Sequence, residues 1–243
     1  WLGAATKPDY YCADSGSDDI GPVPLGSDVC VANKNHQTHD LELMLLASRE
    51  QGVPMIIGSC GDTGTDSRVD MYVEIIKQLA KKHNLKKFKL CYFYSSQKKE
   101  TIKEYMVKGG VVEGLNSRHN LTMDELEETT NIVAVAGVQP YIECLKRGAD
   151  VIIGGRSSDV AVFAAPAIYE GFPENLSYYL GKVLECASFC CEPYGAKESV
   201  IGTITQEDVN LFLSNAKKYN NCLDYVCTHC CPRSVFEENR PYL

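Results

Sequence analysis

The sequence predicts an α/β protein, with a mainly parallel sheet of at least five strands and helices on both faces. Three observations carry that expectation. Short apolar runs alternate with helix-length segments along most of the 243 residues, the pattern of buried strands and covering helices. Gly52, Gly148 and Gly171 each stand just past a helix-like segment, where a left-handed cap residue belongs. Most apolar runs lead into a loop of glycine, hydroxyl and acidic residues, as strand ends do where open α/β sheets bind ligands. No low-complexity stretch divides the chain, so residues 1–243 are expected to form one domain.

The strand-like runs are Tyr10–Ala13, Val53–Ile57, Phe88–Tyr94, Ile132–Ala136 and Val151–Ile153, with a weaker one at Val200–Thr205. The helix-like segments are His39–Gln51, Val69–His83, Lys98–Lys108, Gln139–Arg147, Val160–Glu170 and Leu176–Cys190. A further helix follows Gln206, with Glu207 and Asp208 in its first turn. Gly109–Thr122 is expected to be a loop or an inserted edge segment. The unit from Val53 to Asp66 has a faint echo from Ala149 to Asp159. Any two strand–turn–helix units look alike, and no duplication is inferred.

Charge and composition set several function classes aside. The formal net charge is −8, from 24 basic and 32 acidic residues. That disfavours a nucleic-acid partner, because a phosphate backbone is met by clustered Lys and Arg. The basic cluster Lys81-Lys82-His83-Asn84-Leu85-Lys86-Lys87 falls at a helix end, where cations complement the helix dipole. No apolar run approaches the ~20 residues of a membrane span, so no membrane partner is expected. Twelve cysteines are many for this length. Cys12, Cys91 and Cys144 lie within apolar runs, where a thiol packs as a small hydrophobe, and the expectation is free thiols in a reducing, cytoplasmic compartment. Neither Cys186, Cys190 and Cys191 nor the group Cys222, Cys227, His229, Cys230 and Cys231 has the paired spacing of zinc or iron–sulfur ligands. No metal is assigned. The G-x-G-x-x-G and G-x-x-x-x-G-K-[ST] phosphate motifs are absent, and the cofactor is left unknown.

The richest segment runs from Gly58 through Ser59-Cys60-Gly61-Asp62-Thr63-Gly64-Thr65-Asp66-Ser67-Arg68 to Asp70. It joins an apolar run to a helix-like segment, where glycines allow close approach and the helix start offers unpaired N–H groups. Three carboxylates and one guanidinium are an odd lining for a phosphate cradle. They suit proton transfer, or a metal ion, beside a carboxylate or carbonyl better. The plainer alternative is a surface turn in which Asp66 or Ser67 caps the next helix. Cys60, close to a helix start, is a candidate nucleophile, but no histidine can be paired with it.

Comparable loops follow the other runs: Asp14-Ser15-Gly16-Ser17-Asp18-Asp19, Gly137-Val138-Gln139-Pro140, and Gly154-Gly155-Arg156-Ser157-Ser158-Asp159. Parallel strands send their C-terminal ends the same way, so these loops are expected to line one rim. Arg156 and Arg68 are candidate anchors there, since a guanidinium grips a carboxylate with two parallel hydrogen bonds. Asp14, Asp18, Asp62 and Asp66 are candidate catalytic acids or bases, because close carboxylates raise one another's pKa. Ser15, Ser17, Gly58, Thr63, Gly64, Gln139, Gly155 and Asp159 complete the candidate substrate-binding set. Taken singly, each acid is equally well read as a cap or a surface charge.

Together these segments resemble the acyclic-terpene-utilisation AtuA-like family. The likeness is carried by Ala13-Asp14-Ser15-Gly16-Ser17, Gly21-Pro22, Leu25-Gly26 and Gly58 to Asp70. It continues in Gly154-Gly155-Arg156-Ser157-Ser158-Asp159, Phe163-Ala164-Ala165, Leu180 to Cys186 and Ser234 to Asn239. Family members generally run past the position matching Leu243, so the resemblance implies the amino-terminal portion, or a split subunit, of a longer architecture. It also implies breakdown of branched acyclic terpenoid acids, without naming a reaction.

Two functional expectations stay open. The first is a catabolic enzyme, a hydratase- or dehydratase-like lyase or an isomerase, that shifts a proton beside the carbonyl of a small carboxylate or acyl-CoA substrate. The second is a non-catalytic acyl-ligand-binding or assembly subunit that works with a second chain. A homo-oligomer, or a hetero-oligomer with a second subunit, is expected in either case, because a chain cut from a longer architecture would leave apolar surface uncovered.

Overall fold

The computed structural model describes residues 2–16, 22–186, 200–208 and 210. In chain order the elements are α1 (Leu2–Ala5), β1 (Tyr11–Gly16), α2 (Pro22–Ser27), α3 (Lys34–Gln51), β2 (Met55–Asp62), α4 (Asp66–Lys82) and β3 (Leu90–Phe93). They are followed by α5 (Lys99–Val107), α6 (Met123–Glu128), α7 (Gln139–Lys146), β4 (Val151–Gly154), α8 (Ala161–Tyr169) and α9 (Glu174–Glu185). The four strands form a parallel sheet in the order β1-β2-β4-β3.

At its centre Met55, Ile56 and Ile57 of β2 lie beside Val151, Ile152 and Ile153 of β4. All six are at most 1% exposed. Strands buried on both faces need apolar residues at every position, which is why these two runs lack polar alternation. The side chains still alternate in direction. Met55, Ile57, Val151 and Ile153 pack with Leu45, Tyr72 and Ile76 of α3 and α4. Ile56 and Ile152 pack with Tyr141 and Leu145 of α7 and Val162 and Ala165 of α8. Helices therefore cover both faces.

Local chemistry explains the helix ends. Asn33 caps α3 by accepting from the His36 N–H at 3.0 Å, and Gly52 ends it with φ 72°. That is the left-handed conformation glycine adopts without penalty. Lys81 and Lys82 occupy the last turn of α4, where they oppose the negative end of the helix dipole. A capping box between Thr122 and Glu125 starts α6. This T-x-x-E signal went unread in the sequence, as did the short α2.

The sheet is smaller than expected, with four strands among the described residues. Ile132–Ala136 makes no ladder. It has one antiparallel bridge at Val133–Ser96 and one parallel bridge at Ala136–Ser157. Its backbone crosses the ends of β3 and β4, with Ala134 N–H donating to the Ser95 carbonyl at 2.8 Å and Ala136 N–H to the Arg156 carbonyl at 3.0 Å. Those bonds make it a strap over the rim and leave Ala134 and Val135 exposed. Residues 200–205 form no strand either. Cys12, Cys30, Cys60, Cys91, Cys144 and Cys186 are free thiols, and the other six cysteines lie outside the described residues. Among the described residues no helix is long and apolar enough to cross a membrane.

Gly58 is the tightest point between β2 and the α7–α8 layer. A Cβ there would lie 2.2 Å from Val162 Cγ2 and 2.8 Å from the Tyr141 hydroxyl. Gly58→Ala should therefore cost about 1–3 kcal/mol through overpacking. Urea unfolding monitored by circular dichroism measures this, and an unchanged midpoint would contradict the packing.

Candidate functional site

The rim begins with a break in the pairing of β1 and β2. Asp14 pairs with Gly58, but Gly16 pairs with Asp62, so β2 carries extra residues opposite Ser15. This bulge is built from left-handed backbone, with φ 46° at Ser59, 62° at Gly61 and 67° at Asp62. Bulges bend a strand and re-aim its side chains. Here the bulge turns the β2 loop toward the loop after β4.

Arg156 sits where these loops meet. Its N–H donates to the Gly64 carbonyl at 2.9 Å, and its carbonyl accepts from Ala136 N–H and, at 2.9 Å, from the Ser95 hydroxyl. Gly64 has φ 64°, and a Cβ there would come within 2.2 Å of the Arg156 nitrogen. At Gly155 a Cβ would lie 2.5 Å from Ser95 Oγ. The space these two glycines leave is filled by the protein's own loops. The Arg156 side chain is 6% exposed and places Nη2 3.4 Å from Asp159 Oδ1.

Asp14 lies beside this pair. Its Oδ1 is sealed from solvent and has no hydrogen-bond partner. Burial raises its pKa from 3.8 to about 8, and the charge of Asp159 adds to the rise. Arg156, the Ser59 hydroxyl and the Gly16 amide pull the other way without reversing it. A carboxyl whose burial costs more than its partners return keeps its proton instead. Asp14, Arg156 and Asp159 thus form a cluster of one protonatable acid, one cation and one anion at the C-terminal end of the sheet.

The other candidate residues distribute around this cluster. Asp66 is at the same end of the sheet as Arg156, where its Oδ1 accepts from the Ser96 N–H and its own N–H donates to Ser96 Oγ, each at 3.0 Å. Asp62 Oδ2 accepts from the Val31 N–H at 2.6 Å. Both carboxylates are engaged in tying loops together. Arg68 pairs with Asp28, Nε to Oδ1 at 3.4 Å, and its Nη1 reaches Cys30. Asp28 also accepts from the hydroxyls of Thr65 and Ser67. Although burial opposes it, these contacts and Arg68 lower the Asp28 pKa. Thr63 is buried with its hydroxyl 3.2 Å from that of Thr65, and the Ser15 hydroxyl meets that of Tyr72 at 2.6 Å. Gln139 is exposed at the start of α7. Ser17 and Asp18 lie outside the described residues.

Ser59, Asp28 and Tyr141 escaped the sequence reading. Tyr141 is fully buried, with its hydroxyl 2.5 Å from that of Ser157, and nothing in Gln139-Pro140-Tyr141 distinguishes it from an ordinary core aromatic. Ser59 is part of the Gly58–Asp70 segment but was given no role there. Burial and the Asp14 charge push the Cys60 thiol well up, which withholds the thiolate that nucleophilic chemistry needs. Among the described residues no group of three or more His, Cys, Asp or Glu side chains is placed to hold a metal ion.

These features describe a parallel α/β protein with an acid–arginine cluster at the rim of its sheet. The sequence profile of the acyclic terpene utilisation family protein AtuA matches residues 33–207, most of the chain. The chain belongs to that family. The matched span contains Ser59, Arg156 and Asp159, while Asp14 precedes it. Comparison with curated proteins and with solved structures gives no match. Membership implies a role in acyclic terpene utilisation and specifies neither reaction nor substrate.

The buried Asp14 gives a stability signature. The folded chain keeps a proton that the unfolded chain releases above about pH 4. Stability should therefore fall as pH rises from about 4 to about 8, by at most about 1.4 kcal/mol per unit from this group, and level off above. Asp14→Asn should remove that component. Urea unfolding of both proteins across this range is the measurement, and parallel pH curves would place the Asp14 pKa in the usual carboxylate range.

Proposed function

We propose that this chain is an enzyme of acyclic terpene breakdown that moves a proton next to the carbonyl of a carboxylate or acyl-CoA substrate, in a hydration, dehydration or isomerisation. The observation that carries this reading is Asp14: a carboxyl with an unsatisfied, solvent-sealed oxygen beside the Arg156 guanidinium. A general acid–base works best with a pKa near the operating pH, and Asp14, at about 8, is protonated for part of the time there. In its charged form it accepts the proton from the carbon next to the carbonyl. In its neutral form it returns a proton to that carbon or to the neighbouring one. Arg156 faces the negative charge that builds on the carbonyl oxygen as the proton leaves, which lowers the barrier where charge develops. Asp159 holds the guanidinium and keeps the Asp14 proton in place by repulsion.

Incubation in deuterium oxide with branched unsaturated acids and their CoA thioesters tests this directly. Deuterium should enter the carbon beside the carbonyl, and Asp14→Asn should slow that exchange by at least ~100-fold. Binding without exchange would favour the acyl-ligand-binding subunit instead. Absence of both binding and exchange with every carboxylate and thioester tried would overturn the reading. Arg156→Lys keeps the charge but loses the planar fork, and should weaken carboxylate binding by about 2 kcal/mol, measured calorimetrically. Unchanged affinity would remove Arg156 as the anchor.

A further inference from the structure

In the sheet order β1-β2-β4-β3, strand β3 stands at the edge and pairs with β4 alone among the described residues. The Lys89 and Phe93 carbonyls accept from the Val151 N–H at 3.1 Å and the Gly155 N–H at 3.0 Å. Backbone groups alternate in side along a strand, so the N–H and C=O of Leu90, Tyr92 and Tyr94 face outward. The strap joins this stretch only from Ser95 onward, through Ala134 N–H to the Ser95 carbonyl and Gln97 N–H to the Ile132 carbonyl. Proteins guard such edges with a charged side chain, a proline or a bulge. Leu90-Cys91-Tyr92-Phe93-Tyr94 has no charged residue and no proline, and its register with β4 runs unbroken. Tyr92 and Tyr94 are 48% and 49% exposed, with their rings edge to face at 5.6 Å. Half-exposed aromatic rings beside outward-facing backbone groups are the materials of an interface.

The edge also has a charge at each end. Exposed Lys86, Lys87 and Lys89 precede β3. At its other end Asp70 accepts from the Tyr94 hydroxyl at 2.6 Å, and Asp66 accepts from the Ser96 N–H at 3.0 Å. A reversed copy of the same edge sets base against acid at both ends. A copy running the same way sets like against like.

We propose that a second copy of this chain docks on this edge, β3 against β3 antiparallel about a two-fold axis, so that two four-stranded sheets continue as one. Tyr92 then faces its own counterpart, and Leu90 faces Tyr94 of the other copy. All three have N–H and C=O directed outward, so each opposed pair exchanges both of its bonds. A two-fold interface must be self-complementary, and the reversed copy matches the backbone, aromatic and charge patterns at once. The proposal is independent of the chemistry at Asp14.

Sedimentation of the full chain, with two substitutions at the centre of the edge, tests it. The parent should be a dimer at micromolar concentration. Tyr92→Lys and Tyr92→Glu each place like charges opposite one another across the two-fold, and each alone should sediment as a monomer. Mixing the two variants sets opposite charges face to face and should restore the dimer. A monomeric parent, or a dimer that survives either substitution, would overturn the proposal, and a mixture that stays monomeric would overturn the facing of Tyr92 with itself. Amide hydrogen exchange on the parent gives a readout that does not depend on how the variants fold. The Leu90, Tyr92 and Tyr94 amides should be protected at concentrations where the dimer forms, and free exchange there would overturn the pairing.

Discussion

The backbone of Arg156 is the junction on which the rim of this sheet depends. Three separate stretches of chain converge on its peptide groups: Gly64 from the β2 loop, Ala136 from the strap and Ser95 from the β3 loop. A backbone group buried away from water must find a partner or cost free energy, so these bonds set how the loops lie against one another. The close approach of Gly64 follows from the same constraint, since any Cβ there would displace the Arg156 nitrogen.

Fixing the backbone of Arg156 also fixes the electrostatics. Its guanidinium has little freedom to leave the cluster with Asp159, and Asp14 stands in the C-terminal half of β1, paired with Gly58. Two acids and one cation in a poorly hydrated space cannot all be charged cheaply. The acid with an unpartnered oxygen gives way and keeps its proton. Asp62 and Asp66 are also acids of this rim, yet each accepts a backbone N–H and ties two loops together. Residue type alone does not separate the acid with an unpartnered oxygen from those that hold loops together.

The α4 end of the rim shows the same division of labour on a polar group of different character. Asp28 gathers the hydroxyls of Thr65 and Ser67 and the guanidinium of Arg68, which compensates its charge and makes it a support for the helix start. Arg68 and Arg156 look equivalent as carboxylate anchors in the sequence. In the fold one belongs to this support, and the other belongs to the cluster with the protonatable acid.

Much of the fold was legible in the sequence because it rests on local periodicity and composition. The doubly apolar runs at Val53–Ile57 and Val151–Ile153 could only be buried strands. Gly52 marked a helix end, and the small-and-acidic loops after the strands marked the rim and its family. The tertiary structure decided what periodicity does not encode. Ile132–Ala136 has the composition of a strand, but its backbone partners belong to Ser95 and Arg156, and it became a strap. Asp14 resembled its neighbouring acids until burial withheld a partner from it. Ser59 carried no assignment until the bulge brought its hydroxyl onto the Ser157 backbone. These outcomes depend on which groups from distant segments meet in a space closed to water, a property of the assembled chain and not of any stretch of it.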